Sequence, residues 1–322
     1  MKKWSISAHN CFQRCQRQYF FRHIMAHHNA KDEKRREAYL RKQLSSLDAW
    51  RGRLVHSALE RYFVTSLQQG KVINCKELTQ KTLDLAERQL EFSRQQKYSQ
   101  AGITKTKAGD SYLALKVHED AIEFDRQEIE TVFEDIKQCY QNLYSNQKFM
   151  DFLTDRADWY ETEFRLSFKF DGVTIIGQPD LLIGYEDNKI CVIDWKTGKS
   201  KNTDYAQQLY LYGLAVIKNY RWSNFNLSDL LLVEANLLQN KFTKHSIDKS
   251  QKIEIEEFID RSISDIQATT KDHKYNLDRL DNYDYAENPV SCRYCNFVSL
   301  CKSIKNQPKK RADISHPNQI NQ

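Results

Sequence analysis

The 322-residue chain is predicted to adopt a mixed α/β fold, in which a core sheet is flanked by helices and accompanied by a helical insertion. Strand-like periodicity in residues 161–193 predicts the sheet, whereas apolar residues recur at helical spacing in residues 77–149 and 253–266. The chain is also 40% hydrophobic and 12% aromatic. This composition suffices for one large core, with or without an inserted subdomain.

The predicted sheet begins with residues 161–170, where polar and apolar side chains alternate as in a half-buried strand. The dipeptide Asp171-Gly172 favours a tight hairpin, and an apolar return strand follows it. A polar turn at residues 186–189 then precedes the apolar run 190–193, which is typical of a buried central strand. The pattern predicts a three-stranded meander.

Two aspartates and a lysine lie where packing alone does not expect charged groups. Asp180 interrupts an apolar strand, and Asp194 ends the central one. Lys196 comes two residues after Asp194, so both side chains point to the same face. Carboxylates bind hard cations such as Mg²⁺ or Mn²⁺, and an ammonium group can hold an attacking water or a phosphate. A lone Asp-x-Lys is more often an ordinary ion pair, so the interpretation as a metal site depends on the surrounding residues.

Two predicted helices carry further candidates. His56 and Glu60 are one turn apart at the start of one helix. Gln208 and Tyr212 have the same spacing on the helix that follows Lys196. Taken alone, His56 is more simply an ordinary histidine. Gln208 and Tyr212 alone are more simply part of an ordinary amphipathic helix face. Their order along the chain is what makes them informative.

Four motifs follow one another: Gly52 to His56, Gly177 to Asp180, Asp194-Trp195-Lys196 and Gln208 to Tyr212. This succession resembles the PD-(D/E)XK nuclease superfamily, specifically its RecB-like branch. The resemblance implies a restriction-endonuclease-like core sheet. The implied metal ligands are His56, Asp180, Asp194 and the backbone carbonyl of Trp195. The implied catalytic residues are Asp180, Asp194, the lysine Lys196, and Gln208 and Tyr212, which position that lysine or the nucleic-acid strand. Asp194 stands where many relatives carry Glu, which leaves the preferred metal open.

Three of the eight cysteines form a C-x2-C-x5-C pattern, a ligand spacing rather than a packing pattern. Iron–sulfur clusters and structural zinc both favour four ligands, so a fourth must come from elsewhere. The resemblance, here to AddB-type and CRISPR-associated relatives, selects Cys15 over Cys11. It implies a 4Fe-4S cluster that joins the two ends of the chain, with structural Zn²⁺ as the alternative. The implied ligands are Cys15, Cys292, Cys295 and Cys301.

The formal net charge of +6 is too small to establish nucleic-acid binding by itself. Its distribution is more informative, because basic residues crowd the approach to His56, with Tyr39 and Trp50 among them for base stacking. A solvated helix face balanced by neighbouring acidic residues explains the same pattern equally well. The candidate nucleic-acid contacts are Arg35, Arg36, Arg51 and Arg53.

The chain is expected to divide into six segments and to be cytoplasmic. It shows no signal peptide and no run of about twenty apolar residues that could span a bilayer. The segments are an N-terminal piece with one cluster cysteine (1–30), a basic segment with the His56 helix (31–75), a helical insertion (76–150), the nuclease core (151–280), the cluster-binding segment (281–302) and a disordered basic tail (303–322).

These features predict a metal-dependent DNA nuclease, specifically an exonuclease that favours single-stranded DNA in repair, defence or CRISPR-type processing. No Gly-rich phosphate loop is present, so any motor is expected to be a separate helicase, ATPase or CRISPR-type protein. Two alternatives stay open. One is a nuclease-fold DNA-binding subunit that is silent or gated by such a partner, and the other is a zinc or iron–sulfur structural module with accidental carboxylates.

Overall fold

A computed structural model describes residues 1–100, 102–119, 126–200, 205–222 and 224–305. The strands in these ranges form one sheet of five strands and one of three. They are β1 (Lys3–Trp4), β2 (Ala157–Thr162), β3 (Leu166–Phe170), β4 (Val173–Gly177), β5 (Leu181–Tyr185), β6 (Ile190–Lys196), β7 (Leu230–Asn236) and β8 (Lys241–His245).

Helices surround the larger sheet, and the longest of them supply most of the packing. They are α1 (Ile6–Arg14), α2 (Gln16–Tyr19), α3 (Glu33–Gln43), α4 (Leu47–Ala58), α5 (Thr65–Gln68), α6 (Cys75–Arg94), α7 (Lys105–Ala108), α8 (Lys116–Glu119), α9 (Arg126–Ser145), α10 (Gln147–Thr154), α11 (Ala206–Ile217), α12 (Lys249–Thr270), α13 (Val290–Arg293) and α14 (Val298–Lys305). Two π-helical turns, Phe20–Met25 and Leu59–Val64, continue α2 and α4.

Strand β6 lies at the centre of the five-stranded sheet, whose order is β2-β5-β6-β7-β8. It pairs antiparallel with β5 and parallel with β7. A parallel pair requires a crossover between its strands, and α11 lies in that crossover. The mixed α/β prediction is confirmed, and so is the central position of the apolar run 190–193.

The predicted hairpin at Asp171-Gly172 is confirmed, since β3 and β4 pair antiparallel on either side of it. The predicted meander is wrong, because residues 161–170 form two strands that belong to different sheets. The backbone breaks at Glu163, which has a positive φ of 50°. A second break separates β4 from β5 at Pro179, which has no N–H to donate to a ladder. Both breaks lie beside the candidate site.

Hydrophobic residues cover both faces of the central strands. Leu182 and Val192 pack in one cluster with side chains of α11 and α12, whereas Leu181 and Ile193 pack in a second cluster with α4, α6 and α9. A strand buried on both faces must be apolar at every position, which explains why β6 shows no alternation. Asp194 is therefore an exception on an otherwise apolar strand.

The predicted helical insertion corresponds to α6 to α10, which lie between the His56 helix and β2. Helices α6 and α9 both pack against α4. At the other end, α14 continues through Lys305, past the predicted start of the tail at residue 303. The remainder of that predicted tail, 306–322, lies outside the described residues. No helix in the described ranges is long and apolar enough to cross a membrane.

Ser262 on α12 forms hydrogen bonds with two residues of the N-terminal segment. Trp4 is buried and donates from Nε1 to Ser262 Oγ at 2.8 Å, and His9 Nδ1 lies 2.6 Å from the same oxygen. Because the serine hydroxyl accepts from the indole, it can donate its own proton to a neutral His9. The pKa of His9 is lowered, chiefly by burial, which Asp265 partly offsets.

We expect Ser262→Ala to lower the free energy of unfolding by about 1–3 kcal/mol, because the Trp4 N–H is left buried without an acceptor. Urea denaturation at neutral pH measures this change. Since the pKa of His9 is lower in the folded state than in the unfolded state, its contribution to stability is present above the unfolded pKa, about 6.5. That contribution is lost as the pH falls through 6.5 towards the folded pKa.

The matched variant is His9→Gln, which keeps a polar group beside Ser262 and removes the titration. It should flatten the fall in stability below pH 6.5. An unchanged pH profile in His9→Gln would contradict this account.

Candidate active site

Asp180 follows the break at Pro179 and connects three parts of the chain. Its Oδ1 lies 2.9 Å from His56 Nδ1 on α4, and its Oδ2 accepts from the Trp195 backbone N–H at 2.7 Å. The carboxylate is nearly buried, with 12% of the side chain exposed. Two backbone breaks and one helix therefore converge on this group, which explains why a charged residue occupies the start of β5.

Asp194 lies near the carboxyl end of β6, and only 4% of its side chain is exposed. Its Oδ1 accepts from Gln208 Nε2 at 3.0 Å. The buried Oδ2 accepts no regular hydrogen bond and contacts the Lys196 ammonium as an ion pair. Burial raises the pKa of Asp194 to about 6, with Lys196 acting to lower it and Asp180 to raise it further. The structure thus places Asp194 and Lys196 on one face of the strand, as their spacing predicts.

Helix α11 and its N-cap residue contact Lys196. Lys196 Nζ lies 3.3 Å from Gln208 Oε1 and 4.1 Å from the centre of the Tyr205 ring. Gln208 Nε2 also donates to the Tyr212 hydroxyl at 2.7 Å. The Lys196 ammonium is therefore fixed by a carboxylate, an amide and an aromatic face. Gln208 therefore contacts Lys196 directly, whereas Tyr212 is connected to the lysine through Gln208.

Two opposing effects act on the pKa of His56. Burial acts to lower the pKa of His56, whereas the neighbouring Asp180 carboxylate and Asp194 act to raise it, and the net pKa is raised above 6.5. His56 thus lies beside Asp180, just as Lys196 lies beside Asp194. Each of the two carboxylates therefore has one basic side chain next to it.

A cleft of about 570 Å³ opens beside His56 and is lined by the carboxyl groups of Glu60, Asp110 and Glu163, of which the sequence pattern indicated only Glu60. Glu163 accepts from Gln178 Nε2 at 2.6 Å. Its pKa is raised by burial, and the charges of Asp180 and Glu60 add to the rise. The helical spacing from His56 indicated Glu60 in the sequence. No pattern indicated Glu163, because it matched the polar positions of a predicted regular strand.

The site contains the donors that a hard divalent cation requires. His56, Asp180 and Asp194 supply a ring nitrogen and carboxylate oxygens, and Asp194 Oδ2 is buried without a regular hydrogen bond. Within the described ranges, however, no three His, Cys, Asp or Glu side chains are arranged closely enough to form a metal site as they stand. A cation bound here would take His56 as a nitrogen ligand and would add its positive charge beside both carboxylates.

The four predicted cluster cysteines are neighbours in space. Burial raises the pKa of Cys295, and the nearby thiols of Cys15, Cys292 and Cys301 add to the rise. Cys11 lies near this group but is buried in the hydrophobic core, where burial raises its pKa to about 11 and Cys15 and Cys295 act in the same direction. The thiols are therefore brought together from both ends of the chain, although not at the spacing of a preformed metal site in the described residues.

The predicted nucleic-acid contacts have different environments. Arg53 lines the cleft, and Arg36 donates to the backbone oxygen of His28 at 2.7 Å and lies over the Tyr39 ring. Arg35 donates to the Met25 oxygen at 3.1 Å.

Two predictions in this segment are not supported by the structure. Arg51 is 3% exposed and is engaged by Asp135, Asp48 and the Thr197 backbone oxygen, so no face is left for a nucleic acid. Trp50 is fully buried and donates to Gln89, which excludes base stacking. Both side chains serve the packing of α4 instead.

Gly177 permits the close approach of β4 to α11. A Cβ at this position would lie 2.9 Å from Tyr212 Cδ1, closer than side chains tolerate. We expect Gly177→Ala to lower the free energy of unfolding by about 1–3 kcal/mol through overpacking, and to displace Tyr212 from Gln208. Thermal and urea denaturation measure the loss.

Gly52→Ala is the matched control, because its Cβ would meet only Thr197 Oγ1, at 3.4 Å. Gly52 lies inside α4, so alanine should leave stability unchanged or raise it by up to about 1 kcal/mol. Equal destabilisation by the two substitutions would show that the Tyr212 contact is not the cause.

A family model described as the PD-(D/E)XK nuclease superfamily matches residues 3–302. No curated protein matches the chain. Among solved structures, the chain is 15% identical to SSO0001, covering 68% of this chain and 96% of that one, with a TM-score of 0.28. It is 11% identical to a candidate exonuclease from Eubacterium rectale, covering 82% and 92%, with a TM-score of 0.35. Because the family model spans nearly its whole length, the chain belongs to the PD-(D/E)XK nuclease superfamily.

Proposed function

We propose that the chain is an Mg²⁺- or Mn²⁺-dependent exonuclease that hydrolyses phosphodiester bonds, preferentially in single-stranded DNA. Membership of a nuclease superfamily supports hydrolysis of DNA. The observation that carries the proposal is the cluster of Asp180, Asp194 and Lys196, in which Asp180 contacts His56 at the wall of the cleft. A structural module with accidental carboxylates does not explain why two buried charges lie side by side, since burying a charge is costly.

The residues that would hold the cation are His56, Asp180, Asp194 and the backbone carbonyl of Trp195. When bound, the cation supplies positive charge for the phosphate oxygens and Lewis-acid activation of water. Lys196 then donates to the attacking water or to the charge that develops on the phosphate. Gln208 and Tyr212 hold the lysine in position through the amide contact and the hydroxyl hydrogen bond.

The net reaction adds one water across the phosphodiester. Its oxygen joins phosphorus, the bond from phosphorus to the 3′ oxygen breaks, and the 3′ oxygen takes up a proton. The product ends are a 5′-phosphate and a 3′-hydroxyl.

The helical insertion supports the preference for a single strand. Leu85, Gln89, residues 109–110 and residues 112–114 of the insertion line the same cleft as His56. The insertion thus forms part of the cleft wall, and we propose that a duplex would have to open before a scissile phosphate reached Asp180. A single strand can be threaded through such a site.

The proposal also includes a 4Fe-4S cluster on Cys15, Cys292, Cys295 and Cys301, with structural Zn²⁺ as the alternative. The mutual influence of these thiols on the pKa of Cys295 supports the ligand set. Such a cluster would stabilise the contact between the two ends of the chain, because metal binding is coupled to folding.

A second candidate function is a subunit that a partner activates. His56 and Lys196 already contact the two carboxylates, so a cation has to compete with these contacts, and a helicase, ATPase or CRISPR-type protein could drive that change. We also propose a cytoplasmic location, which applies to either candidate function.

We expect Asp180→Ala and Lys196→Ala each to reduce DNA cleavage by roughly 10²–10³-fold or more, because each removes a group that acts on the scissile phosphate. The measurement is digestion of end-labelled single-stranded and duplex DNA by anaerobically purified protein with Mg²⁺ or Mn²⁺, in parallel with EDTA. Lys199→Ala is the control, since Lys199 is a nearby lysine that pairs with Asp135 instead. Activity that survives both active-site substitutions would refute the assignment.

We expect Cys15→Ser to abolish the visible absorbance of a cluster and to lower the melting temperature, because one of four ligands is lost. Cys11→Ser should keep the absorbance. A protein that contains zinc and no iron would select the zinc alternative. Equal iron content in Cys15→Ser and the unmodified protein would refute Cys15 as a ligand.

A further inference from the structure

Arg51 connects three parts of the structure that are far apart in the chain. Its side chain is 3% exposed and lies on α4, the helix that carries His56. Its Nη2 donates to the Thr197 backbone oxygen at 2.9 Å, and its Nη1 donates to Asp135 Oδ2 on α9 at 2.8 Å. Arg51 therefore joins the helix of His56 and the helical insertion to the residue that follows Lys196.

Thr197 is the first residue beyond the paired part of β6. The pairing of β6 with β7 ends at Lys196 and Asn236, and the Lys196 oxygen accepts from the Leu237 N–H at 2.8 Å. The next carbonyl group, that of Thr197, accepts from Arg51 instead. Because Thr197 is buried, its oxygen requires a partner, and the guanidinium continues the hydrogen bonding one residue past Lys196.

Two amide side chains hold the same segment, residues 197–200, from β7 and the turn that follows it. Asn236 Nδ2 and Gln239 Nε2 donate to the Gly198 oxygen at 3.0 Å and 2.8 Å. Arg51 holds the segment from α4. Side chains therefore fix this segment relative to both the sheet and α4, at the point where backbone pairing has ended.

The segment also contacts a residue that holds Lys196. A Cβ on Gly198 would lie 3.9 Å from the Tyr205 hydroxyl oxygen, and the centre of the Tyr205 ring lies 4.1 Å from Lys196 Nζ. A shift of the segment would therefore reach Lys196 by two routes, along the backbone and through the Tyr205 ring. The backbone route also includes the Trp195 carbonyl, which is a proposed cation ligand.

The position of Arg51 depends on the carboxylate of Asp135. A buried guanidinium requires a neutralising partner, and 14% of the Asp135 side chain is exposed. Asp48 also pairs with Arg51 Nη1 at 2.8 Å, but 78% of its side chain is exposed, so water weakens that attraction. Loss of the Asp135 charge should therefore draw Arg51 towards Asp48 and away from Thr197.

We propose that Arg51 is a positioning residue for DNA cleavage, which holds the Lys196 end of β6 against the His56 helix and couples both to helix α9 through Asp135. This inference rests on the proposed nuclease function, because it assigns Arg51 a role in that reaction. The planar guanidinium presents one nitrogen to Asp135 and another to Thr197. A lysine has a single nitrogen and cannot keep both contacts at these distances.

We expect Arg51→Lys to lower kcat on single-stranded DNA by about 10–10²-fold, because a displacement of about 1 Å at the catalytic groups is enough for such a loss. KM should stay within about twofold, since a side chain that is 3% exposed does not contact the strand. The measurement is the initial rate against DNA concentration at saturating Mg²⁺ or Mn²⁺, normalised to the folded fraction from circular dichroism. A lower melting temperature with unchanged kcat would show that Arg51 only stabilises the fold, and would overturn the proposal.

Asp135→Asn is the second variant, and it keeps the proposal testable if Arg51→Lys does not fold. It preserves the size of the side chain and removes the charge that holds Arg51. We expect kcat to fall about threefold or more, with KM unchanged. The double variant should lose no more activity than Arg51→Lys alone, because both substitutions act through one contact. Two independent losses that multiply would contradict the coupling.

Arg41→Lys is the matched control. Arg41 is also an internally paired arginine, with Glu37 one turn away on α3, so the substitution exchanges the same two side chains elsewhere. It should leave kcat unchanged. A loss equal to that of Arg51→Lys would overturn the proposal.

Amide hydrogen exchange tests the same contact without cleavage. Peptides that cover residues 194–200 are compared by mass spectrometry in EDTA and without DNA. We expect about tenfold faster exchange in Arg51→Lys and Asp135→Asn, and none of this change in Arg41→Lys. Unchanged exchange in the first two variants would overturn the proposal whether or not the protein cuts DNA. Faster exchange in a protein whose unmodified form never cuts would refute the nuclease function and leave the contact with Thr197 supported.

Discussion

The charge of Asp194 is the constraint on which the rest of the site depends. Its carboxylate is almost completely buried at the carboxyl end of the central strand, where an isolated charge is strongly unfavourable. Lys196 balances that charge from the same face of β6, and Gln208 supplies a hydrogen bond from α11. The adjacent pair of Asp180 and His56 repeats the arrangement. Each of these carboxylates thus lies beside a basic side chain, and a divalent metal bound there would add its positive charge to both.

The topology of the sheet explains how these groups meet. Because β6 and β7 are parallel, the chain must cross over between them, and α11 lies in that crossover. Helix α11 therefore packs over the end of β6 and presents Gln208 and Tyr212 to Lys196. Gly177 allows the close contact between this helix and β4. The catalytic groups are consequently held by the most buried elements of the fold rather than by surface loops.

The cysteine segment also contacts the end of α3. Asn296, in the cysteine segment, donates to the Leu44 backbone oxygen just after α3, and Arg41 donates to the Asn296 oxygen at 3.5 Å. These contacts hold the cysteine segment against the carboxyl end of α3. A cluster at the cysteines would therefore stabilise this contact as well as the contact between the two ends of the chain.

The amino-acid sequence by itself determined the Asp171-Gly172 hairpin, the buried central strand and the shared face of Asp194 and Lys196, because turn chemistry and side-chain periodicity are local properties. The family resemblance was likewise carried by short motifs. Only the tertiary structure revealed the break at Glu163 and the burial of Arg51. Periodicity indicates which side of an element faces inward, but not which residues lie opposite. Whether an arginine meets a carboxylate or solvent depends on residues far away in the chain.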